Sequence, residues 1–175
     1  GYIDDYLGYN FVDKNGVMEP KGNHGTMIAG IIGAVRDNGI GIAGIASKVK
    51  IMSVIVSTGK NGVAIPEGVK YAVDNGADII NISFGSFTSD GYQESETAMY
   101  QYAFDRGVIV VNSGGNNDRL GGVGTSGIGT NLNIIPTSPL CNNNKSRIKL
   151  GVTALDNTDQ ATAGMKKAEW ASYGS

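Results

Sequence analysis

The chain has 175 residues, a mass of 18.2 kDa and 41% hydrophobic residues, one domain's worth of sequence with enough apolar content for a core. Fourteen Lys and Arg against sixteen Asp and Glu leave a net charge of -2 with neither sign in a long block, which argues against nucleic-acid and membrane partners. Cys141 is the lone cysteine, so no intrachain disulfide and no zinc-type cysteine cluster can form, and no apolar run approaches the ~20 residues of a membrane span.

The opening Gly1-Tyr2-Ile3-Asp4-Asp5 carries neither an initiator methionine nor a signal peptide and reads as a cut end. The 27 glycines fall in short clusters without a fixed period, which predicts tight turns and close backbone approaches rather than a collagen or linker. The first predicted helix opens at Asn23-His24-Gly25-Thr26 and runs to Val35. Gly25, Ala29, Gly30, Gly33 and Ala34 would let it sit close to neighbouring backbone, and that much glycine requires tertiary packing to hold the helix. His24, the chain's one histidine, stands at its mouth. There the macrodipole disfavours added positive charge, which suits a neutral imidazole acting as a general base; a histidine that caps or packs is the alternative.

Lys48 to Ser57 is a β-branched apolar run and predicts a buried strand. Pro66 suits the first turn of a helix carrying Val69, Tyr71, Ala72 and Val73 and ending at Asn75-Gly76. Asp78 to Phe84 is nearly continuous in apolar character, as in a strand covered on both faces. Ser89-Asp90 can cap a helix whose Met99, Tyr102, Ala103 and Phe104 have helical spacing before Arg106-Gly107 stops it. Val108 to Val111 is the third strand. Gly114 to Asn144 has no periodicity, and so long a loop-rich stretch suggests function; a further strand is expected near Ile148 to Ala154. The alternation predicts an α/β fold of three layers, a mostly parallel sheet with helices on both faces. Ligands in such sheets gather at the carboxyl ends of strands. That end would carry both Ser83-Phe84-Gly85 and Ser113-Gly114-Gly115-Asn116.

Gly39-Ile40-Gly41-Ile42-Ala43-Gly44 satisfies the dinucleotide-binding pattern letter for letter. Its context is reversed, with a helix before and a strand after, and no acidic residue follows about 20 positions on. Gly122-Val123-Gly124-Thr125-Ser126-Gly127 repeats the pattern inside the loop-rich stretch and fails for the same reason.

Taken together, His24-Gly25-Thr26, Asn38 to Ala46, Asp78 to Gly85 and Val110-Val111-Asn112-Ser113-Gly114-Gly115-Asn116 resemble the subtilisin-like serine proteases in order and spacing. The likeness runs from about Tyr9 to Ser175, where Ala171-Ser172-Tyr173-Gly174-Ser175 is similar to the segment shortly before the family's nucleophile region. The resemblance implies a serine endopeptidase in which His24 is the general base and Asn116 the side-chain donor of the oxyanion hole. It also implies that Ser83, Phe84 and Gly85 pair with extended substrate backbone, while Ser113, Gly114 and Gly115 wall the pocket for the residue before the scissile bond. A glycine-lined wall leaves room for a large apolar side chain, so broad specificity on peptide or protein substrates is expected.

Three departures qualify the likeness. The family's aspartate belongs to a strand ending upstream of the histidine region; Asp4, Asp5 and Asp13 follow no apolar strand and are poor replacements. Ser126 imitates the family's Gly-Thr-Ser, but it comes ten residues after Asn116 and its following Gly127-Ile128-Gly129 is a poor helix start. Met27 stands where relatives commonly carry a second histidine and is expected to tune packing. The expectation is therefore the central part of a peptidase domain over 1–175, truncated at both ends, with 1–8 the remnant of an acidic insertion loop. Such a piece would be inactive by itself and would expose apolar surface, to be met by a companion segment or by self-association. No cofactor is expected; calcium is conceivable only for the complete protein, since half of any such loop is missing. The resemblance favours a secreted or cell-surface setting. The alternative function is a non-catalytic pseudo-protease module that binds extended peptides.

Overall fold

The computed structural model describes residues 2, 4–19, 22–46, 48–57, 64–83, 94–116, 149–155, 168 and 171. The chain divides within its second helix into two compact units, Gly1–Ala72 and Val73–Ser175.

In the first unit, β1 (Gly8–Asn10) pairs in parallel with β2 (Ser53–Ile55), aligning Gly8 with Ser53 and Asn10 with Ile55. Only glycine fits the first position: Gly8 has φ +134° and a Cβ there would lie 1.8 Å from the Ser53 carbonyl oxygen. Asn10 ends the strand. Its Oδ1 accepts the Val12 and Asp13 N–H groups, each at 3.0 Å, and its Nδ2 donates to Asp13 Oδ2 at 2.9 Å. The turn closes when the Asn10 N–H donates to the Asn15 carbonyl at 2.8 Å. Asn10 is 2% exposed, so these bonds replace the water it has lost.

The predicted strand from Lys48 to Ser57 is thereby corrected. Its ladder covers only Ser53–Ile55 because its partner is three residues long, and Val49, Ile51 and Met52 are exposed rather than buried.

Helix α1 (His24–Gly33) forms where predicted and ends two residues before Val35. Helix ends leave carbonyls without intrahelical partners, and here the Gly-rich stretch supplies them. Gly44 N–H donates to Ala34 O at 3.0 Å, Ile45 N–H to Ile31 O at 2.9 Å and Ala46 N–H to Ile32 O at 2.8 Å. A Cβ on Gly44 would meet the Ala34 nitrogen at 2.3 Å. Of the glycines expected to allow close approach, Gly33 does so, lying against Gly44 and Val49, whereas Gly25 has open space around its Cα. No residue of α1 is buried, and Met27, Ile31 and Val35 are exposed.

Helix α2 (Ile65–Asp74) starts at the predicted Pro66 turn, and Gly76, at φ +82°, follows its end. Val69, Tyr71 and Ala72 are buried. Tyr71 lies among Tyr2, Tyr9 and Phe11, its ring 5.0 Å from Tyr2 and 5.8 Å from Phe11, both edge-on, the arrangement favoured by aromatic quadrupoles.

The second unit holds a parallel sheet in the order β3 (Ile79–Ile82), β4 (Ile109–Ser113), β5 (Lys149–Val152). All three strands were expected, each with bounds shifted by a few residues. Helix α3 (Glu94–Phe104) packs against β4, with Met99, Tyr100 and Ala103 buried. The Val108 N–H donates back to Ala103 O at 3.0 Å and Gly107 takes φ +74°, the stop predicted at Arg106-Gly107. The proposed cap at Ser89-Asp90 lies outside the described residues. Alternation along the strands puts Ile82, Val110 and Asn112 on the buried face. Ile79, Ile109, Leu150 and Val152 alternate with them and are exposed. The sequence suggested that β3 is covered on both faces; among the described residues one face is covered.

Candidate functional site

His24 belongs to the first unit and is the first residue of α1. Asn23 precedes it with no side-chain capping bond, and its carbonyl accepts the Met27 N–H at 2.9 Å. The imidazole is exposed. The cap position belongs to Asn23, so a histidine serving as the cap is not what is observed.

The remaining described site residues belong to the second unit. Parallel register aligns Ile82 with Asn112, so Ser83 and Ser113 come next, level with each other at the carboxyl edge. Ser83 Oγ accepts a hydrogen bond from Asn81 Nδ2 at 2.9 Å. The strand pairing of Ser113 with Val152 continues as the Gly114 N–H donates to the Val152 carbonyl at 2.7 Å. Gly115 then takes φ +84°, a left-handed conformation that suits glycine, and turns the chain out of the sheet. Asn116 follows, exposed and held by an antiparallel bridge to Ala171. Phe84 and Gly85 lie outside the described residues, as does Ser126.

Two of the three aspartates weighed as replacements make structural hydrogen bonds. Asp13 accepts from Asn10 in the turn after β1, and Asp5 Oδ2 accepts the Tyr71 hydroxyl proton at 2.9 Å. Burial pushes the Tyr71 phenol up to about 12, helped by the hydrogen bond to Asp5 and by that group's negative charge. Asp4 sits at φ +57°. Among the described residues no three His, Cys, Asp or Glu side chains gather closely enough to hold a metal ion.

Sequence reasoning missed the neighbours of this strand end. Tyr100 on α3 and Asn112 on β4 are both 0% exposed and hydrogen-bonded to each other at 2.7 Å. The available signal was Asn112 itself, a polar residue directly after the apolar run Val108 to Val111. Ala171, the bridge partner of Asn116, carries no such signal because its pairing is made by backbone.

The sequence model of the subtilase family matches residues 2–173. The chain belongs to the subtilase family. It is 37% identical over 113 residues to thermitase of Thermoactinomyces vulgaris, covering 62% of this chain and 39% of that protein. It is 38% identical over 120 residues to the cell wall-associated protease of Bacillus subtilis, covering 67% of this chain and 13% of that one. The subtilase chain thus spans well under two thirds of the length of these relatives. Its fold is similar to that of MycP1 with the N-terminal propeptide removed, with a TM-score of 0.64 at 24% identity, covering 96% of this chain and 56% of that chain. It is also similar to the protease domain of PatA, with a TM-score of 0.62 at 22% identity, covering 85% and 46%. At these identities the two structures bear on the α/β fold alone.

Proposed function

We propose that this chain is part of a serine endopeptidase that cleaves peptide bonds in extended peptide or protein substrates, with His24 as general base and Asn116 as oxyanion donor. The observation that carries the reading is the strand edge in which Ser83 stands level with Ser113 and the chain turns through Gly115 to present Asn116. Strand ends offer free backbone groups to an extended peptide, which binds as an added strand. The Asn116 amide would donate to the negative oxygen of the tetrahedral intermediate, a bond worth more in the transition state than in the ground state. His24 would take the serine proton and return it to the leaving amine. Ser113, Gly114 and Gly115 would wall the pocket for the side chain before the scissile bond, with room for a large apolar group.

The nucleophile and the carboxylate that orients His24 are assigned to no described residue. A serine-directed fluorophosphonate tests the reading on the full-length product that contains this chain. Labelling that is lost in the His24→Ala variant supports a peptidase, because the phosphonate reports a base-activated serine. Absence of labelling in the wild type, with extended peptides still bound, would replace the peptidase by a pseudo-protease module.

A further inference from the structure

We propose that Tyr100 and Asn112 form a positioning pair that clamps the Ser113–Gly114 peptide and thereby aims Asn116; the proposal rests on the peptidase reading of that strand end. Asn112 follows four apolar residues and lies on the α3-facing side of the sheet with Val110 and Ile82. A polar side chain buried there is costly unless its groups are satisfied. The Tyr100 hydroxyl donates to Asn112 Oδ1 at 2.7 Å, both residues being fully buried. That bond fixes which end of the amide is which, since a hydroxyl proton directed at Oδ1 leaves Nδ2 on the other side. Nδ2 donates to the Ser113 carbonyl oxygen at 3.0 Å.

The Ser113 carbonyl and the Gly114 N–H belong to one planar peptide unit. Its oxygen is held by Asn112, and its nitrogen donates to Val152 O at 2.7 Å. The plane is held from both polar atoms, and it is the last one before two glycines that have no side chains to fix their direction. Gly115 turns at φ +84° and Asn116 follows. Removing the Tyr100 hydroxyl takes away the bond that holds Asn112 Oδ1 in place and so weakens the orientation of the amide; turned about, its oxygen end would repel the Ser113 carbonyl. Asn116 would then spend less time where the developing oxyanion needs its donor.

The test compares Tyr100→Phe in two backgrounds of the full-length product, using peptide hydrolysis. In the wild-type background kcat should fall about tenfold with KM within about twofold, because the donor acts mainly in the transition state. In an Asn116→Ala background Tyr100→Phe should change kcat by less than about twofold, since the group it aims is gone. Val110→Ala, a buried neighbour on the same strand, should lower thermal stability yet leave kcat within about twofold. An unchanged kcat in Tyr100→Phe, or an equal loss in both backgrounds, overturns the proposal. Amide hydrogen exchange at Gly114 reads the clamp without activity: Tyr100→Phe should speed it at least tenfold and Val110→Ala should not, and equal rates in Tyr100→Phe and wild type overturn the clamp. A wild type that cleaves no peptide overturns the peptidase reading separately, and the Gly114 exchange rate then decides the clamp.

Discussion

The Tyr71 hydroxyl donates to Asp5 Oδ2 at 2.9 Å and so ties together two residues 66 positions apart within the first unit. The phenol is buried among three aromatic rings and its titration is pushed from 10.0 to about 12. The folded state therefore holds this proton more tightly than the unfolded chain does. The resulting stability is fully present below pH 10 and is lost as the pH rises from about 10 towards 12. Urea unfolding at a series of pH values should show this alkaline loss in the wild type and a flatter profile in Tyr71→Phe. Equal alkaline slopes in the two proteins would show that the tie does not form.

Gly8→Ala should be among the most damaging single substitutions in the first unit. The new methyl group would meet the Ser53 carbonyl oxygen at 1.8 Å on a backbone with φ +134°, so β1 must move off β2 or twist out of register. A loss of about 3 kcal/mol or more is expected in denaturant unfolding, in the range of backbone strain added to a lost ladder. A loss below about 1 kcal/mol would mean that the β1–β2 pairing contributes little.

Gly44→Ala tests the connection that closes α1. Its Cβ would collide with the Ala34 nitrogen at 2.3 Å, displacing the amides of Gly44, Ile45 and Ala46 from the helix carbonyls they serve. Hydrogen exchange at Ile45 and Ala46 should rise at least about tenfold, equivalent to about 1.4 kcal/mol of local opening. Unchanged protection at both amides would contradict this role for the segment.

Much of the fold was legible because long apolar periods dominate it. The helices carrying Val69 to Val73 and Met99 to Phe104 have clear periods, and Gly76 and Gly107 stop them where the sequence places the stops. β1 was not legible, since three residues, Gly8, Tyr9 and Asn10, are too few to show a two-residue period. Its existence depends on a tertiary partner more than forty residues away. The dinucleotide-like glycines were set aside for their context, and what the structure shows of Gly44, donating its amide to the Ala34 carbonyl beside Ile45 and Ala46, is a backbone matter that no side-chain pattern announces. At the site, the strand ends of Ser83 and Ser113 followed from parallel topology. The Tyr100–Asn112 contact needed coordinates, because it joins a helix face to a strand face through two hydrogen-bonding atoms.

Asn116→Ala should lower kcat for peptide hydrolysis by the full-length product about 10²–10³-fold with little change in KM. That size of effect belongs to subtilisin, the type enzyme of the family, and is carried to this position by the motif and by the turn at Gly115. Steady-state kinetics on one peptide substrate would check it. A change confined to KM would place Asn116 in substrate binding rather than in transition-state stabilisation.

The most direct measurement of the central claim is kcat for peptide hydrolysis by the full-length product and its His24→Ala variant. Removal of a triad base predicts a loss on the order of 10⁵- to 10⁶-fold, again on the scale known for subtilisin, with the variant still folded by thermal unfolding. A His24→Ala protein that hydrolyses peptide within about tenfold of the wild-type rate would contradict the assignment of His24 as the base.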